Sequence, residues 1–90
     1  MKEELISPLA VVSPEAKIGT GTKIAPFAVI EGDVEIGEGT VIHSGVMVRN
    51  GARIGSGCEI HPYAVIGGIP QDLKFQGEKS IAVVGDRSVV

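Results

Sequence analysis

Aliphatic residues recur every six positions along most of the chain: Ile6, Val12, Ile18, Ile24, Ile30, Ile36, Ile42, Val48, Ile54, Ile60 and Ile66. Ile, Val and Leu make up 26 of the 90 residues, so an unbroken run of this length in one phase arises by chance about once in a million. Four residues after each of the first ten stands a small or β-branched side chain: Ala10, Ala16, Thr22, Ala28, Val34, Thr40, Val46, Ala52, Cys58 and Ala64. In an extended chain, positions four apart share a face, and β-branched residues suit pleated backbone. The intervening positions are rich in Gly, Pro, Asn, Asp and Ser, the residues of turns. Each hexad therefore predicts a short strand and a corner, with both apolar positions facing inward.

A helix is excluded because a period of six does not return to one helical face, and because Pro8, Pro14, Pro26 and Pro62 interrupt every candidate segment. Antiparallel hairpins are excluded too, since one chemical pattern simply repeats, as in a coil advancing along an axis. A second period sets the cross-section. Gly19, Gly37 and Gly55 recur at eighteen, as do Gly21, Gly39 and Gly57, so three hexads make one turn of a triangular prism. The predicted fold is all-β: a parallel β-helix of 18-residue coils.

The phase breaks once. The positions where aliphatics are due after Ile66 hold Asp72 and Glu78, which cannot sit unpaired inside the prism. Residues 67–80 are therefore expected to form an external loop, with the repeat resuming over 84–90 at Val84 and Val90. Excursions from a solenoid commonly carry its binding function.

The hexads resemble those of the hexapeptide-repeat acyltransferases, which implies a left-handed coil. General crossover chirality favours the opposite hand, so the left hand rests on the resemblance alone. The run Gln71-Asp72-Leu73-Lys74-Phe75-Gln76-Gly77-Glu78, preceded by Ile66-Gly67 and followed by Val84-Gly85-Asp86, is similar to the loop of one family among them. That family is the acyl-[acyl-carrier-protein]–UDP-N-acetylglucosamine O-acyltransferases of lipid A biosynthesis, and the likeness is to its N-terminal part.

The resemblance implies transfer of a 3-hydroxyacyl chain from acyl carrier protein to the 3-hydroxyl of UDP-N-acetylglucosamine. It implies that Gln71 and Asp72 contact the glucosamine, and that Lys74 reaches toward the phosphates; a carboxylate orients hydroxyls and amides, and a lysine offers a mobile point charge. It places no catalytic residue within these 90 positions. The family's histidine base, its remaining coils and its C-terminal helical domain correspond to sequence beyond Val90, so the chain alone is expected to be inactive. Two other readings stand beside this one: another hexapeptide-type enzyme, such as an acetyltransferase or the N-acyltransferase of the same pathway, and a non-catalytic β-helical scaffold. For the loop itself the alternative is a solvated charged excursion.

Charge and composition narrow the partners. Eight Lys and Arg against eleven Asp and Glu leave a net charge of −3 and a pI near 5.2, the wrong sign for a general nucleic-acid binder. A single cysteine makes no internal disulfide and no thiolate metal site, which points to a cytoplasmic chain. No apolar run is long enough for a signal peptide or a membrane span. No cofactor or metal is implied. Aromatic residues are only 3%, in keeping with a prism too narrow for rings.

The remaining candidates each have a plain structural reading. His43 and His61 are eighteen apart and stack on adjacent coils; both follow an inward isoleucine and point outward, which favours a surface or interface role over a metal or catalytic one. Cys58 fills an inward slot and is read as inert core. The Gly pairs lack a following helix and are read as corners rather than phosphate cradles. Among residues just before the inward aliphatics, Val11, Val29, Met47 and Val65 form an unbroken apolar column, with Leu9, Phe27 and Tyr63 at its corner. The other two columns are charged or mixed: Lys17, Glu35 and Arg53, then Lys23, Val41 and Glu59. An apolar stripe on such a prism marks a contact surface, and with the resemblance it implies a homotrimer through that side.

Overall fold

The computed structural model describes residues 5–67 and 82–90, and these form a left-handed parallel β-helix with three flat sides. The first side stacks β1 (Val11–Val12), β4 (Val29–Ile30), β7 (Met47–Val48) and β10 (Val65–Ile66) in that order. The second stacks β2 (Lys17–Ile18), β5 (Glu35–Ile36), β8 (Ala52–Ile54) and β11 (Ala82–Val84), and the third stacks β3 (Lys23–Ile24), β6 (Val41–Ile42) and β9 (Glu59–Ile60). Every pairing is parallel. Registers such as Val29↔Met47 and Ile36↔Ile54 pair residues eighteen positions apart, and among the strands β11 alone pairs, with β8, at a wider interval. No described residue is helical.

The strands are only two or three residues long because a corner follows each one, and the stack supplies their stability. Backbone amides reach the next coil throughout, as in Val29 N to Val46 O at 2.9 Å and Val41 N to Cys58 O at 2.8 Å. The hexad aliphatics from Ile24 to Ile66 are buried, as are Thr22, Ala28, Val34, Thr40, Val46, Ala52 and Cys58 between them. Each such aliphatic contributes about 1.5–3 kcal/mol on leaving water. The inward slots open toward the first coil, where Ile6 is 37% exposed and Val12 and Ile18 are half-buried.

The two glycines of each Gly-x-Gly have separate jobs. A Cβ on Gly19 would stand 2.6 Å from the carbonyl carbon of Gly37, and one on Gly37 would stand 2.7 Å from that of Gly55. The first glycine therefore lets successive coils touch backbone to backbone. The second, at Gly21, Gly39 and Gly57, has positive φ and closes the turn.

The corner beside these glycines is bonded from inside. Thr22 Oγ1 donates to Gly37 O at 2.6 Å and accepts from Thr40 N at 3.2 Å. Thr40 Oγ1 repeats this, donating to Gly55 O at 2.8 Å and accepting from Cys58 N at 3.1 Å. Cys58 Sγ continues the column to Gly85 O at 2.9 Å. In the small inward slot at this corner, the side chains satisfy buried backbone groups that would otherwise carry a desolvation cost.

Candidate functional site

Gln71, Asp72 and Lys74 lie outside the described residues, but the described positions on either side, Gly67 and β11, are defined. Elsewhere, positive φ falls three residues after the hexad aliphatic, as at Gly21, Gly39, Gly45, Gly51 and Gly57. At Gly67 it falls directly after Ile66, with φ 86. A Cβ there would lie 3.0 Å from Arg49 O and 3.3 Å from Ala52 Cβ, so the departure needs both the conformation and the smallness of glycine. The chain returns as β11, where Val84 pairs with Ile54, thirty positions apart where a plain coil spans eighteen, so twelve residues are added.

Beneath this exit lies a polar corner. Arg53 Nη1 donates to the carbonyls of Asp33 and Ala52, both at 2.9 Å, and Arg53 Nη2 donates to Asp33 Oδ1 at 2.9 Å. Asn50 Oδ1 accepts from Asp33 N and Glu31 Oε1 accepts from Asn50 N, each at 2.8 Å. Arg49 stands 3.8 Å from Glu31, and Arg53 Nε 3.9 Å from Glu35. Both arginines thus face carboxylates, and pairs this exposed contribute about 1 kcal/mol or less. Their positional value is greater: the bonds tie two successive turns together beside Gly67. Sequence reasoning missed this cluster. The opposed charges of Glu35 and Arg53, eighteen apart, could have signalled part of it, whereas the Asp33 and Asn50 bonds depend on corner geometry.

Two faces meet at this corner. One is the predicted apolar column, in which Val11, Met47 and Val65 are exposed and Val29 is half-buried. The other is the second sheet, whose outward column runs Lys17, Glu35, Arg53 and Val83 beside the glycine ladder and Asp86, lining a shallow groove.

The far corner of the apolar face is unusual. Phe27 (φ 70) and Tyr63 (φ 68) take the left-handed conformation that glycine fills at Gly21, Gly39, Gly45, Gly51 and Gly57, each after a proline. This costs about 1–2 kcal/mol per residue, yet both rings stay exposed, at 68% and 80%. Gly45 lies between them in the stack, and a Cβ there would collide with Tyr63 Cε1 at 2.5 Å. The Tyr63 ring therefore lies against Gly45.

His43 and His61 come together as their spacing implied, on the corner just past β6 and β9 rather than on the strands themselves. Their rings stack at 5.5 Å and 4°, and His43 Nε2 lies 3.0 Å from Glu59 Oε2. Cys58 is buried. Among the described residues no helix is long and apolar enough to cross a membrane.

Comparison with known proteins points one way. The bacterial transferase hexapeptide family (six repeats) matches residues 33–68. The acyl-[acyl-carrier-protein]–UDP-N-acetylglucosamine O-acyltransferase of Anaeromyxobacter sp. (strain Fw109-5) is 59% identical over 27 residues, which are 30% of this chain and 10% of that protein. LpxA, a UDP-N-acetylglucosamine acyltransferase from Bacteroides fragilis, superposes with a TM-score of 0.89 at 51% identity, over 93% of this chain and 33% of its own. The Francisella novicida UDP-N-acetylglucosamine acyltransferase gives a TM-score of 0.88 at 41% identity, over 94% of this chain and 31% of its own. The chain spans about a third of the length of these solved structures. In repeat, backbone and sequence, then, this chain corresponds to about one third of the hexapeptide-repeat UDP-N-acetylglucosamine acyltransferases.

Proposed function

We propose that this chain supplies the nucleotide-sugar loop and supporting coils of a cytoplasmic, homotrimeric acyltransferase. That enzyme moves a 3-hydroxyacyl chain from acyl carrier protein to the 3-hydroxyl of UDP-N-acetylglucosamine, the first step of lipid A biosynthesis. The observation that carries the reading is the 51% identity to the Bacteroides fragilis enzyme over 93% of the chain. The exit at Gly67 supports it, since the twelve added residues include Gln71, Asp72 and Lys74.

Gln71 and Asp72 orient the glucosamine through its hydroxyl and amide groups, and Lys74 meets the diphosphate as a point charge. A histidine from sequence beyond this chain takes the proton of the sugar 3-hydroxyl. The alkoxide adds to the thioester carbonyl, a backbone N–H steadies the oxyanion, and collapse expels the carrier-protein thiolate. The apolar column of Val11, Val29, Met47 and Val65, extended by Phe27 and Tyr63, packs against sister chains. That role gives a reason for two strained aromatic corners left in water.

The test is a chimera in which this chain replaces the matching third of the Bacteroides fragilis enzyme. Asp72→Ala and Lys74→Ala should each leave the melting temperature within the range of surface changes while lowering kcat/KM tenfold or more, about 1.4 kcal/mol of transition-state stabilisation. The Lys74 effect should fall mainly on KM and weaken as salt screens the phosphate contact. Unchanged kinetics in both variants would reduce the segment to a solvated excursion.

A further inference from the structure

A second cluster of chemistry-bearing side chains lies on the corner between the third and first sides, away from the Gly67 exit. His43 comes from one coil, Glu59 and His61 from the next, and one ligand atom from each lies within 4.8 Å of the others. We propose that His43, Glu59 and His61 form a binding site for a divalent transition-metal ion that clamps the two coils together.

The backbone holds the three residues in place. His43 N donates to Ile60 O at 3.0 Å and His61 N to Val90 O at 2.8 Å, so both histidines are fixed by the ladder on either side of their side chains. Pro62 follows His61 and restricts the corner further. The 5.5 Å ring separation is close to the spacing of stacked strands, about 4.8 Å. Coil repetition thus sets the pair, and only side-chain torsions remain free.

The distances suit a chelate. Two ligand atoms each about 2.0–2.1 Å from one ion stand roughly 2.8–3.4 Å apart at octahedral to tetrahedral angles. His43 Nε2 and Glu59 Oε2 are already 3.0 Å apart. Turning the His61 ring brings its nitrogen into the same shell, leaving the remaining positions to water. Two imidazoles with one carboxylate favour zinc, nickel, cobalt or copper over magnesium or calcium, which prefer oxygen donors. The three side chains are half-buried or exposed, so an ion enters from solvent without opening the core.

A hydrogen bond between His43 and Glu59 alone would account for part of this arrangement, but it does not involve His61. That difference separates the two explanations. Titration of the protein with zinc chloride, followed by calorimetry, should show one ion per chain, and zinc should raise the melting temperature through linkage. His61→Ala should weaken zinc binding roughly tenfold or more and remove the zinc-dependent rise, although it leaves the His43–Glu59 bond intact. His43→Ala should do the same, and cobalt bound to the parent should show no thiolate charge-transfer band. Zinc binding as tight in His61→Ala as in the parent overturns the proposal. So does no binding at millimolar zinc, and so does binding lost in Cys58→Ser but kept in His61→Ala.

Discussion

Ile42→Asp is expected to abolish cooperative unfolding, leaving a chain without the parent's β-sheet signal. Ile42 is 1% exposed and sits in the third side between Ile24 and Ile60, with one coil above and one below. A large-to-small change at such a site costs about 2–5 kcal/mol in lost burial and cavity. An unpaired carboxylate adds several more, since nothing in the aliphatic column can bond it. Together these rival the whole stability of a small domain, about 5–15 kcal/mol. Circular dichroism with thermal melting measures the outcome. A variant that melts like the parent would show that the hexad aliphatics do not face a common interior.

The second large effect separates the two glycines of one corner. Gly37→Ala places a methyl 2.7 Å from Gly55 C and Ser56 N, both backbone atoms of the next coil. Relief requires the coils to part where Gly37 N bonds Ile54 O at 2.8 Å and Thr40 Oγ1 bonds Gly55 O at 2.8 Å. The loss should be roughly 3 kcal/mol or more, at the upper end of overpacking costs. Gly39→Ala meets no atom within 4 Å and costs only its positive φ of 68, about 1–2 kcal/mol. For a domain of this size each kcal/mol moves the melting temperature by about 4–8 °C, so the two variants should differ clearly. Equal shifts would mean that the coils are not in backbone contact at Gly37.

The strands and their stacking were legible because one constraint acts everywhere. A narrow prism admits one aliphatic per side and layer, so the six- and eighteen-residue periods specify both which residues are inward and which are neighbours. Corner chemistry was less legible. Reading Gly19, Gly37 and Gly55 as corner residues missed that they permit backbone contact, because the clash involves a residue eighteen positions away. The hydroxyl ladder of Thr22 and Thr40 was read as small inward packing, since size and hydrogen bonding select similar residues in that slot. Phe27 and Tyr63 in the left-handed region run against local preference, and no single-residue rule predicts them. At the candidate site, the phase break after Ile66 announced the twelve residues added before β11, whereas the salt-bridged corner beside Gly67 went largely unannounced. The roles of Gln71, Asp72 and Lys74 rest on resemblance and remain for kinetics to test.

The most direct measurement is product analysis for the unsubstituted chimera, with this chain in place of the matching third of the Bacteroides fragilis enzyme. Supplied with 3-hydroxyacyl-[acyl-carrier-protein] and UDP-N-acetylglucosamine, it should release free carrier-protein thiol and form one product, the nucleotide sugar esterified at its 3-hydroxyl. A chimera that folds and assembles like its parent yet makes no ester, or acylates a different acceptor position, would contradict the assignment of this chain to the nucleotide-sugar side of the reaction.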